Sequence, residues 1–319
     1  MSALLVLTLH HIGDVLFTEP AIAALKAGHP EKPLLVVTSQ EGEAVLKGHP
    51  AIDQLWVRVR TVRGFGRLLR WLRQHRATAA VSFSPSSLGL ALATLLSGAT
   101  RRFGFAFRFH VSIFFTDKLP MQPQRHVVDD YLALAKAAGG KKERRIPRLF
   151  LRPEEEAWGR EWLRAQGWDE TTPLLGCHPF SSVASKEWGL TNFAILLQWV
   201  RKELGWLPIV FGSLGEREKA EKLAAEGKGV AAAGKLSLRQ FIAVAKWCTG
   251  FIGGDSGPIH LAAALGVPTV ALFGPTDPHR SGPLGNHVWV AKSPTKRMED
   301  LSVETVRELV KAVLGGISG

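Results

Sequence analysis

Asp14 is the first side chain whose position suggests chemistry. It follows the apolar run Leu4–Leu9 and a turn at residues 10–14, and it precedes a helical pattern over Val15–Lys26. A carboxylate at the start of a helix is favoured by the helix dipole and commonly caps the helix. The same carboxylate at the mouth of a ligand cleft could remove a proton from a substrate hydroxyl. The sequence leaves both roles open.

A serine-rich loop with one lysine forms the second candidate. The segment 178–189, HPFSSVASKEWG, directly follows the strand-like run Pro173–Cys177. Its hydroxyls (Ser181, Ser182 and Ser185) and the Lys186 ammonium suit a phosphate group. It is not a Walker motif, because GxxxxGK[ST] does not occur in the chain. A polar loop that caps the next helix remains the alternative.

The third candidate is the segment 253–260, GGDSGPIH. Two glycines let the backbone turn after a strand, and Pro258 suits the first positions of a helix. The backbone N–H groups expected to face a diphosphate are those of Ser256, Gly257 and Ile259. His260 falls one turn inside this helix, where a lone histidine is more often structural than a ligand. A further tight turn is expected at residues 274–276, GPT.

The elements that position these motifs alternate between short apolar strands and amphipathic helices in both halves of the chain. That alternation predicts an α/β protein with parallel sheets covered on both faces. We expect two Rossmann-like domains, residues 1–155 and 156–319, facing a central cleft. The Pro- and Glu-rich stretch around residues 147–167 joins them. Ligands of such sheets bind at the carboxyl ends of the strands, where all three motifs fall.

Charge separates the two halves. Of the net charge of +12 over 319 residues, residues 1–150 carry +11 (21 Lys and Arg, 10 Asp and Glu), so the rest carries +1. This imbalance favours an acidic partner for the first half, or else a basic face with no partner. Two cysteines, the absence of an apolar run of about 20 residues and the lack of a basic signal start predict a reduced cytoplasmic protein.

Three segments together resemble glycosyltransferase family 9, the bacterial heptosyltransferases of lipopolysaccharide core synthesis. They are IGDVLFTEPAIAALK at 12–26, HPFSSVASKEWGLTNFAILL at 178–197 and GGDSGPIHLAAALGVPTVALFGPTDP at 253–278. Weaker matches occur at 101–105, 116–119 and 211–224. The resemblance implies a GT-B fold and inverting, metal-independent transfer of heptose from ADP-heptose, with no cofactor, to the acidic inner core of lipopolysaccharide.

The resemblance also implies roles for individual residues. Asp14 matches the proposed general base, and Lys186 stabilises the leaving diphosphate. Donor-binding positions are Ser181, Ser182, Lys186, Gly212, Glu216, Asp255, Ser256, Gly257 and His260. Acceptor-binding positions are Arg60, Arg63 and Arg125, together with His10 and His11, which replace the small or hydroxyl residues usual before the first turn.

Other functions stay open on the sequence. A transferase with another nucleotide sugar, a nucleotide-sugar epimerase of the same fold and a non-catalytic binder of acidic glycan would each use part of this residue set. An acidic acceptor accounts for the charge of the first half without nucleic acid. The segment 101–118, RRFGFAFRFHVSIFFTDK, is either a strand that buries one aromatic face or a surface loop that docks on the cytoplasmic face of the inner membrane.

Overall fold

The computed structural model describes residues 3–59, 61–141 and 144–314, and of Leu314 only the backbone. The chain divides into two compact units, Met1–Phe150 and Leu151–Gly319. Each contains a six-stranded sheet in which every pairing is parallel. The α/β class with two parallel sheets, expected from the alternation of elements, is confirmed.

Unit 1 has the strand order β3-β2-β1-β4-β5-β6. Its strands are β1 (Ala3–Leu7), β2 (Leu34–Thr38), β3 (Gln54–Val57), β4 (Ala77–Ser82), β5 (Arg101–Phe105) and β6 (Asp117–Leu119). Its helices are α1 (Ile12–Gly28), α2 (Gln40–Leu46), α3 (Val62–His75), α4 (Leu88–Leu96), α5 (Phe109–Ser112) and α6 (Val127–Ala137). Helices α1, α2 and α6 form one group of neighbours, and α3, α4 and α5 form another.

Unit 2 has the order β12-β11-β10-β7-β8-β9. Its strands are β7 (Leu174–His178), β8 (Leu207–Val210), β9 (Val230–Ala231), β10 (Gly250–Gly254), β11 (Thr269–Phe273) and β12 (Val288–Lys292). Its helices are α7 (Pro153–Ala165), α8 (Leu190–Trp199), α9 (Arg217–Glu226), α10 (Leu238–Ala245), α11 (Gly257–Ala264), α12 (Pro278–Ser281) and α13 (Val303–Leu314). Counted from its own first strand, this is the same order as in unit 1, the doubly wound order of Rossmann folds.

The central strands are buried along their whole length and are mostly apolar, as expected when helices cover both faces of each sheet. β1, β2, β10 and β11 are buried at every residue. Burying one valine, leucine, isoleucine or phenylalanine side chain stabilises the fold by about 1.5–3 kcal/mol. A run of consecutive buried residues, and not an alternating pattern, therefore indicates a central strand of such a sheet. Ligand-binding loops are expected at the carboxyl ends of these strands.

One local expectation, a tight turn at Gly13, is wrong. β1 ends at Leu7, and α1 already begins at Ile12, so Gly13 lies in the first helical turn and not in a tight turn. The expected division near residues 147–167 is confirmed, since the units divide after Phe150, but most of this stretch is helical. It forms α7, which Pro153 opens and a hydrogen bond from the Arg152 N–H to Glu155 holds (2.9 Å).

Helix α7 packs on α10 within unit 2. A Cβ atom at Gly159 would come within 2.4 Å of the Ala243 carbonyl oxygen, so glycine permits the close approach of the two helices. Arg239 of α10 adds two hydrogen bonds to the Glu155 carboxylate, at 2.7 and 2.9 Å. The stretch expected to join the domains is therefore part of the second one.

The segment 101–118 is strand at its start and surface at its middle. Phe103, Phe105 and Phe115 are buried, whereas Phe107 and Phe109 are exposed. Two arginines expected to face lipid are engaged within the protein: Arg101 pairs with Asp117 at 2.7 Å, and Arg102 donates to the carbonyl groups of Ala99 and Phe114. No described helix combines the length and apolarity that crossing a membrane requires.

Candidate functional site

The motifs of unit 2 emerge at neighbouring strand ends. The serine-rich loop follows β7, segment 255–260 follows β10, and segment 274–276 follows β11. Strands β7, β10 and β11 are adjacent, and the strand order reverses between β7 and β10. In doubly wound sheets this reversal opens a crevice at the carboxyl ends of the strands, where ligands bind. The structure thus gathers the donor candidates of unit 2 at the expected place.

Asp255 is the centre of a polar cluster there. Its Oδ2 accepts hydrogen bonds from the Lys186 Nζ at 2.7 Å and from the Thr276 Oγ1 at 2.8 Å. The His260 Nε2 lies 3.4 Å from Oδ1. Burial alone would raise the pKa of Asp255, but hydrogen bonds from His260 and Lys186 outweigh it and hold the pKa well below its usual range. Asp255 is therefore a fixed negative charge that orients its neighbours.

Lys186 is held in position while its ammonium group stays accessible. Its side chain is 24% exposed and that of Asp255 only 9%. An ammonium group has three N–H donors, and the bond to Asp255 uses one of them. The geometry therefore suits a lysine that keeps donors for phosphate oxygens.

The two glycines at the end of β10 serve close packing and not a turn. Gly253 and Gly254 are the last two residues of the strand. A Cβ atom at Gly253 would meet the His178 carbonyl oxygen at 2.7 Å, and one at Gly254 would meet the Lys186 carbonyl oxygen at 2.8 Å. Glycine here lets the backbone that carries Lys186 approach the end of β10, directly before Asp255.

Helix α11 offers fewer backbone donors than the sequence predicts. Ser256 is its N-cap, and Gly257 begins the helix. The Ile259 N–H is not available to a diphosphate, because it donates to the Ser256 carbonyl at 3.2 Å. The expectation for Ile259 is therefore wrong, and the donors at the head of the helix reduce to those of Ser256 and Gly257.

Sequence reasoning missed two residues of this cluster. The Thr276 hydroxyl bonds to Asp255 from 21 positions away, and the His178 Nδ1 lies 3.4 Å from the Ser256 Oγ. Loss of hydration lowers the pKa of His178 to about 4, although the negative charge of Glu216 opposes this, so the ring is neutral near pH 7. The sequence signal for both residues is their position, since His178 ends β7 and Thr276 follows the end of β11.

The serine-rich loop does not cap the next helix. The N-cap of α8 is Gly189, which has no capping side chain, and Lys186 ends a short 3-10 turn, Ala184–Lys186. The Ser181 N–H donates to the Glu187 carboxylate at 2.9 Å. Ser182 is exposed. The loop is therefore shaped by its own contacts, and the Ser182 hydroxyl faces solvent.

Gly212 and Glu216 lie after β8, the strand next to β7. A Cβ atom at Gly212 would meet the Phe180 ring at 2.9 Å. The Glu216 Oε2 accepts from the backbone N–H of Ser213 at 2.6 Å and from its hydroxyl at 2.8 Å. Ser213 thus orients the Glu216 carboxylate. Both of these hydrogen bonds use Oε2, one of the two oxygens of the Glu216 carboxylate.

In unit 1, Asp14 is the third residue of α1, in the first turn, and is half-buried. The N-cap residue is His11, and its side chain makes no capping bond, so the interpretation of Asp14 as the cap is wrong. The rings of His10 and His11 pack 4.0 Å apart between centroids. Asp14 follows β1, and the strand order of this sheet reverses between β1 and β4. Asp14 therefore occupies the same topological place as the serine-rich loop of unit 2.

The basic acceptor candidates are spread along one edge of the same sheet. Arg63 is exposed in the first turn of α3, after β3, and Arg125 lies after β6. At about 4.8 Å per strand, β3 and β6 are separated by roughly 24 Å of sheet. The Arg125 Nε donates to the buried Asp130 carboxylate at 2.9 Å, which anchors its guanidinium. Arg60 lies outside the described residues.

Ser82 is a buried polar residue at the same edge of the sheet in unit 1. It ends β4, pairs in register with Leu7 and is fully buried. Among the described atoms its hydroxyl oxygen has no hydrogen-bond partner. A buried hydroxyl left in this state costs about 1–3 kcal/mol. Because Ser82 has no exposed surface, it does not join the candidate ligand contacts of this unit.

The described residues offer no cluster of metal-ligating side chains. Within residues 3–59, 61–141 and 144–314, no three His, Cys, Asp or Glu side chains are grouped closely enough to hold a metal ion. Cys177 and Cys248 are both free thiols, and burial raises the pKa of Cys248 to about 12. Both thiols are therefore protonated near neutral pH, which is typical of structural cysteines.

Comparison with known proteins agrees with the geometry. The family model described as glycosyltransferase family 9 (heptosyltransferase) matches residues 65–311. Lipopolysaccharide heptosyltransferase 2 of Salmonella typhimurium is 26% identical over 306 residues, which cover 88% of this chain and 85% of that protein.

Solved structures show the same fold. A family 9 glycosyl transferase from Veillonella parvula superposes with a TM-score of 0.91 at 23% identity, covering 99% of this chain and 97% of that one. Escherichia coli heptosyltransferase WaaC, solved with ADP, superposes with a TM-score of 0.80 at 20% identity, covering 97% and 99%. The expected GT-B fold is confirmed.

Proposed function

Since the chain belongs to glycosyltransferase family 9, we propose that this glycosyltransferase moves a heptose from ADP-heptose to the inner core of lipopolysaccharide. The proposal includes inversion at the anomeric carbon, no metal ion and no cofactor. It places the enzyme in the cytoplasm, where a nucleotide sugar is available. Unit 2 holds the donor, and the basic unit 1 holds the acidic acceptor.

One observation carries the donor assignment. Lys186, fixed by Asp255 at 2.7 Å, stands beside the N-terminus of α11 at the reversal of strand order in unit 2. A lysine ammonium, two leading backbone N–H groups and the positive end of a helix dipole together suit a diphosphate. The relatives support the nature of that diphosphate, because one of them is solved with ADP.

The leaving group departs with negative charge, and unit 2 stabilises that charge. As the bond from the anomeric carbon to the diphosphate oxygen breaks, Lys186 and the N–H groups of Ser256 and Gly257 face growing negative charge. Donors held in place beforehand need no reorganisation at that moment, which is the source of their catalytic effect. The Asp255 carboxylate holds the Lys186 Nζ in place before the reaction.

Glu216 and His178 complete the proposed donor pocket. Glu216, oriented by Ser213, offers a carboxylate oxygen to the ribose hydroxyls. His178, neutral near pH 7, orients the Ser256 hydroxyl and adds no positive charge. The pocket therefore combines one cation with dipoles and hydrogen-bond acceptors.

Asp14 is the proposed base of the reaction. A carboxylate in the first turn of α1 is stabilised in its charged form by the helix dipole. It removes the proton from the acceptor hydroxyl as that oxygen attacks the anomeric carbon from the face opposite ADP, a role typically worth about 10²–10⁴-fold in rate. Attack from the opposite face inverts the anomeric configuration. Arg63, Arg125, Arg60, His10 and His11 are the proposed contacts to the phosphates and carboxylates of the acceptor.

The proposal is tested by incubating the protein with ADP-heptose, with and without inner-core acceptor, and following both ADP release and the sugar product. A transferase releases ADP only when the acceptor is present, and the heptose appears on the acceptor. An epimerase converts the donor without acceptor, and a non-catalytic binder converts neither substrate. Transfer should persist in excess chelator. Turnover of ADP-heptose that ignores the acceptor would refute the proposal.

A further inference from the structure

Asp130 is a carboxylate that lies buried beneath an exposed arginine in unit 1. It is the fourth residue of α6, and its side chain is fully buried. Its Oδ1 accepts hydrogen bonds from the Arg125 Nε at 2.9 Å and from the Gln122 backbone N–H at 3.1 Å. The Arg125 side chain is 42% exposed. Asp130 therefore fixes both the guanidinium and the loop that carries it, much as Asp255 fixes Lys186 in unit 2.

His126, the N-cap residue of α6, ties the same loop to α1. Its Nδ1 accepts a hydrogen bond from the Val128 N–H at 3.2 Å, and its ring meets the Phe17 ring edge-on, with the ring centroids 5.1 Å apart. Phe17 lies three residues after Asp14, and residues three apart share a helix face with their Cβ atoms about 5–6 Å apart. One peptide bond, one ring contact and one helical turn thus connect Arg125 to Asp14.

A buried carboxylate is a costly way to stabilise a loop. It must leave water, and replacing a buried ion pair with apolar groups often costs no stability. The benefit of this pair lies in the order that it gives to Arg125. A long side chain loses conformational freedom when it binds a ligand, and ordering it beforehand removes that cost from binding.

An ordered and exposed guanidinium suits one chemical class of ligand. Arginine carries five N–H donors in a planar fork, and the bond from Nε to Asp130 orients that plane. Such a fork matches the two oxygens of a carboxylate or of a phosphate. The ligand expected beside Asp14 is therefore an acceptor whose anionic group lies close to the hydroxyl that attacks.

We propose that Asp130 is a positioning residue of the acceptor site, because it orients Arg125 toward an anionic group that neighbours the attacking hydroxyl. This role rests on the proposed transfer reaction, in which Asp14 is the base. It adds a specificity to that reaction, since Arg125 selects acceptors with a carboxylate or phosphate near the reacting centre. Asp130 itself touches neither substrate, because its side chain is fully buried.

Two substitutions separate the binding role of Arg125 from its structural role. In Arg125→Gln the amide nitrogen takes the place of Nε, so it can keep the hydrogen bond to Asp130 while the charged end is lost. In Asp130→Asn the amide oxygen can still accept from the Gln122 N–H, but the charge that orients Arg125 is lost. Asp129→Asn is the matched control, because Asp129 is the neighbouring residue of α6 and its carboxylate pairs with the Arg145 guanidinium at 2.7 and 2.9 Å.

The test measures the Kd of delipidated inner-core acceptor by calorimetry without donor, and the KM of that acceptor in the transfer assay. Loss of charge-assisted hydrogen bonds should weaken acceptor binding by Arg125→Gln roughly 10- to 100-fold. Loss of order alone should weaken acceptor binding by Asp130→Asn about five-fold. Asp129→Asn should stay within about two-fold of wild type. The Kd for ADP should be unchanged in all three variants, since unit 2 is the proposed donor site.

The double variant tests whether Asp130 acts through Arg125. If it does, Asp130→Asn weakens acceptor binding by less than about two-fold in the Arg125→Gln background. Thermal unfolding of each variant separates this effect from a loss of stability. Dephosphorylated acceptor identifies the group that Arg125 contacts: an effect of Arg125→Gln that vanishes indicates a phosphate, and one that persists indicates a carboxylate.

Two results would overturn the role of Asp130. One is an Asp130→Asn variant that binds acceptor as well as Asp129→Asn does, or whose effect simply multiplies with that of Arg125→Gln. The other is an Arg125→Gln variant with unchanged acceptor affinity. Because calorimetry needs no turnover, a wild type that binds acceptor but transfers no heptose would contradict the proposed function alone. Normal transfer together with an ineffective Asp130→Asn would contradict the positioning role alone.

Discussion

Replacing Asp255 with asparagine removes the charge that organises the donor cluster while nearly preserving the shape of the side chain. The ion pair to Lys186 (2.7 Å) is partly buried, so its loss falls between the 0.2–1 kcal/mol of surface pairs and the 3–5 kcal/mol of buried ones, at about 2 kcal/mol. The Thr276 hydroxyl also loses a charged acceptor, which adds about 1 kcal/mol. We therefore expect unit 2 to lose about 3 kcal/mol, or roughly 9 °C in Tm.

The assay is a double-mutant cycle in denaturant with Asp255→Asn, Lys186→Met and the double variant. Because the two side chains contact each other, the double variant should be at least about 1 kcal/mol more stable than the sum of the single losses implies. Glu221→Gln, which breaks the exposed pair with Arg217, is the control and should leave stability nearly unchanged.

The same cycle has a pH dependence. The folded-state pKa of Asp255 lies below its unfolded value of about 3.9, so its charge stabilises the fold above that pH and the contribution is lost as the pH falls. Wild type should therefore lose more stability on acidification than Asp255→Asn. Single-variant losses that add to within about 0.5 kcal/mol, or identical acid profiles, would refute the proposed organisation of Lys186 by Asp255.

Three further predictions concern contacts of unit 2. Lys186→Ala should lose roughly 3 kcal/mol of transition-state stabilisation and weaken ADP binding, measured by steady-state kinetics and calorimetry; unchanged rate and affinity would remove Lys186 from the donor site. Gly254→Ala should weaken ADP binding as well, because the new Cβ atom would meet the Lys186 carbonyl oxygen at 2.8 Å. The control is Gly215→Ala, where a Cβ atom meets open space and ADP affinity should not change. Equal ADP affinities of the two variants would contradict the packing argument. The Arg239 hydrogen bonds lower the pKa of Glu155 to about 2. Because solvent screens this pair in part, we expect a contribution of about 1–2 kcal/mol that is present above pH 4.5 and lost towards pH 2. Acid titration of wild type against Glu155→Gln measures this contribution, and parallel curves would contradict it.

The order of elements was predictable from the sequence because parallel strands leave a strong local signal. Runs such as PLLVVT and PTVALF are apolar except for one threonine each, and helices separate such runs. The carboxyl-end rule then placed Lys186 and Asp255 near each other although 69 residues separate them. The sequence therefore predicts at which edge of the sheet each motif lies.

The contacts within the cluster were not predictable, since they depend on side chains that meet only after folding. Thr276 and His178 gave no motif signal of their own, and their roles follow from the pairing of β7, β10 and β11. Gly253 and Gly254 were interpreted as turn residues because glycine frees the backbone, but the structure uses their lack of a side chain for close packing.

The composition of one stretch predicts its place in the chain but not its structure. RPEEEAWGREWLRAQG is rich in proline and glutamate, which predicts the connection between the domains, and the division falls just before it, after Phe150. Proline at the first helical position and glutamate at the third are instead helix-start signals, and Arg239, 84 residues away, completes the contacts of Glu155. The aromatic segment 101–118 lies partly in the core and partly on the surface. Phe103 and Phe105 are buried within β5, Phe107 and Phe109 are exposed after it, and Phe115 is buried again beside Ala91 of α4.

The rate of heptosyl product formation from ADP-heptose and inner-core acceptor, compared between wild type and Asp14→Asn, measures the proposed transfer and its base together. Wild type should form a product of inverted anomeric configuration. Asp14→Asn, which keeps the side-chain shape but has no basic carboxylate, should lower kcat by about 100-fold or more while the Kd for ADP stays the same. A wild type that transfers no heptose, or an Asp14→Asn variant with near-wild-type kcat, would contradict the proposed reaction.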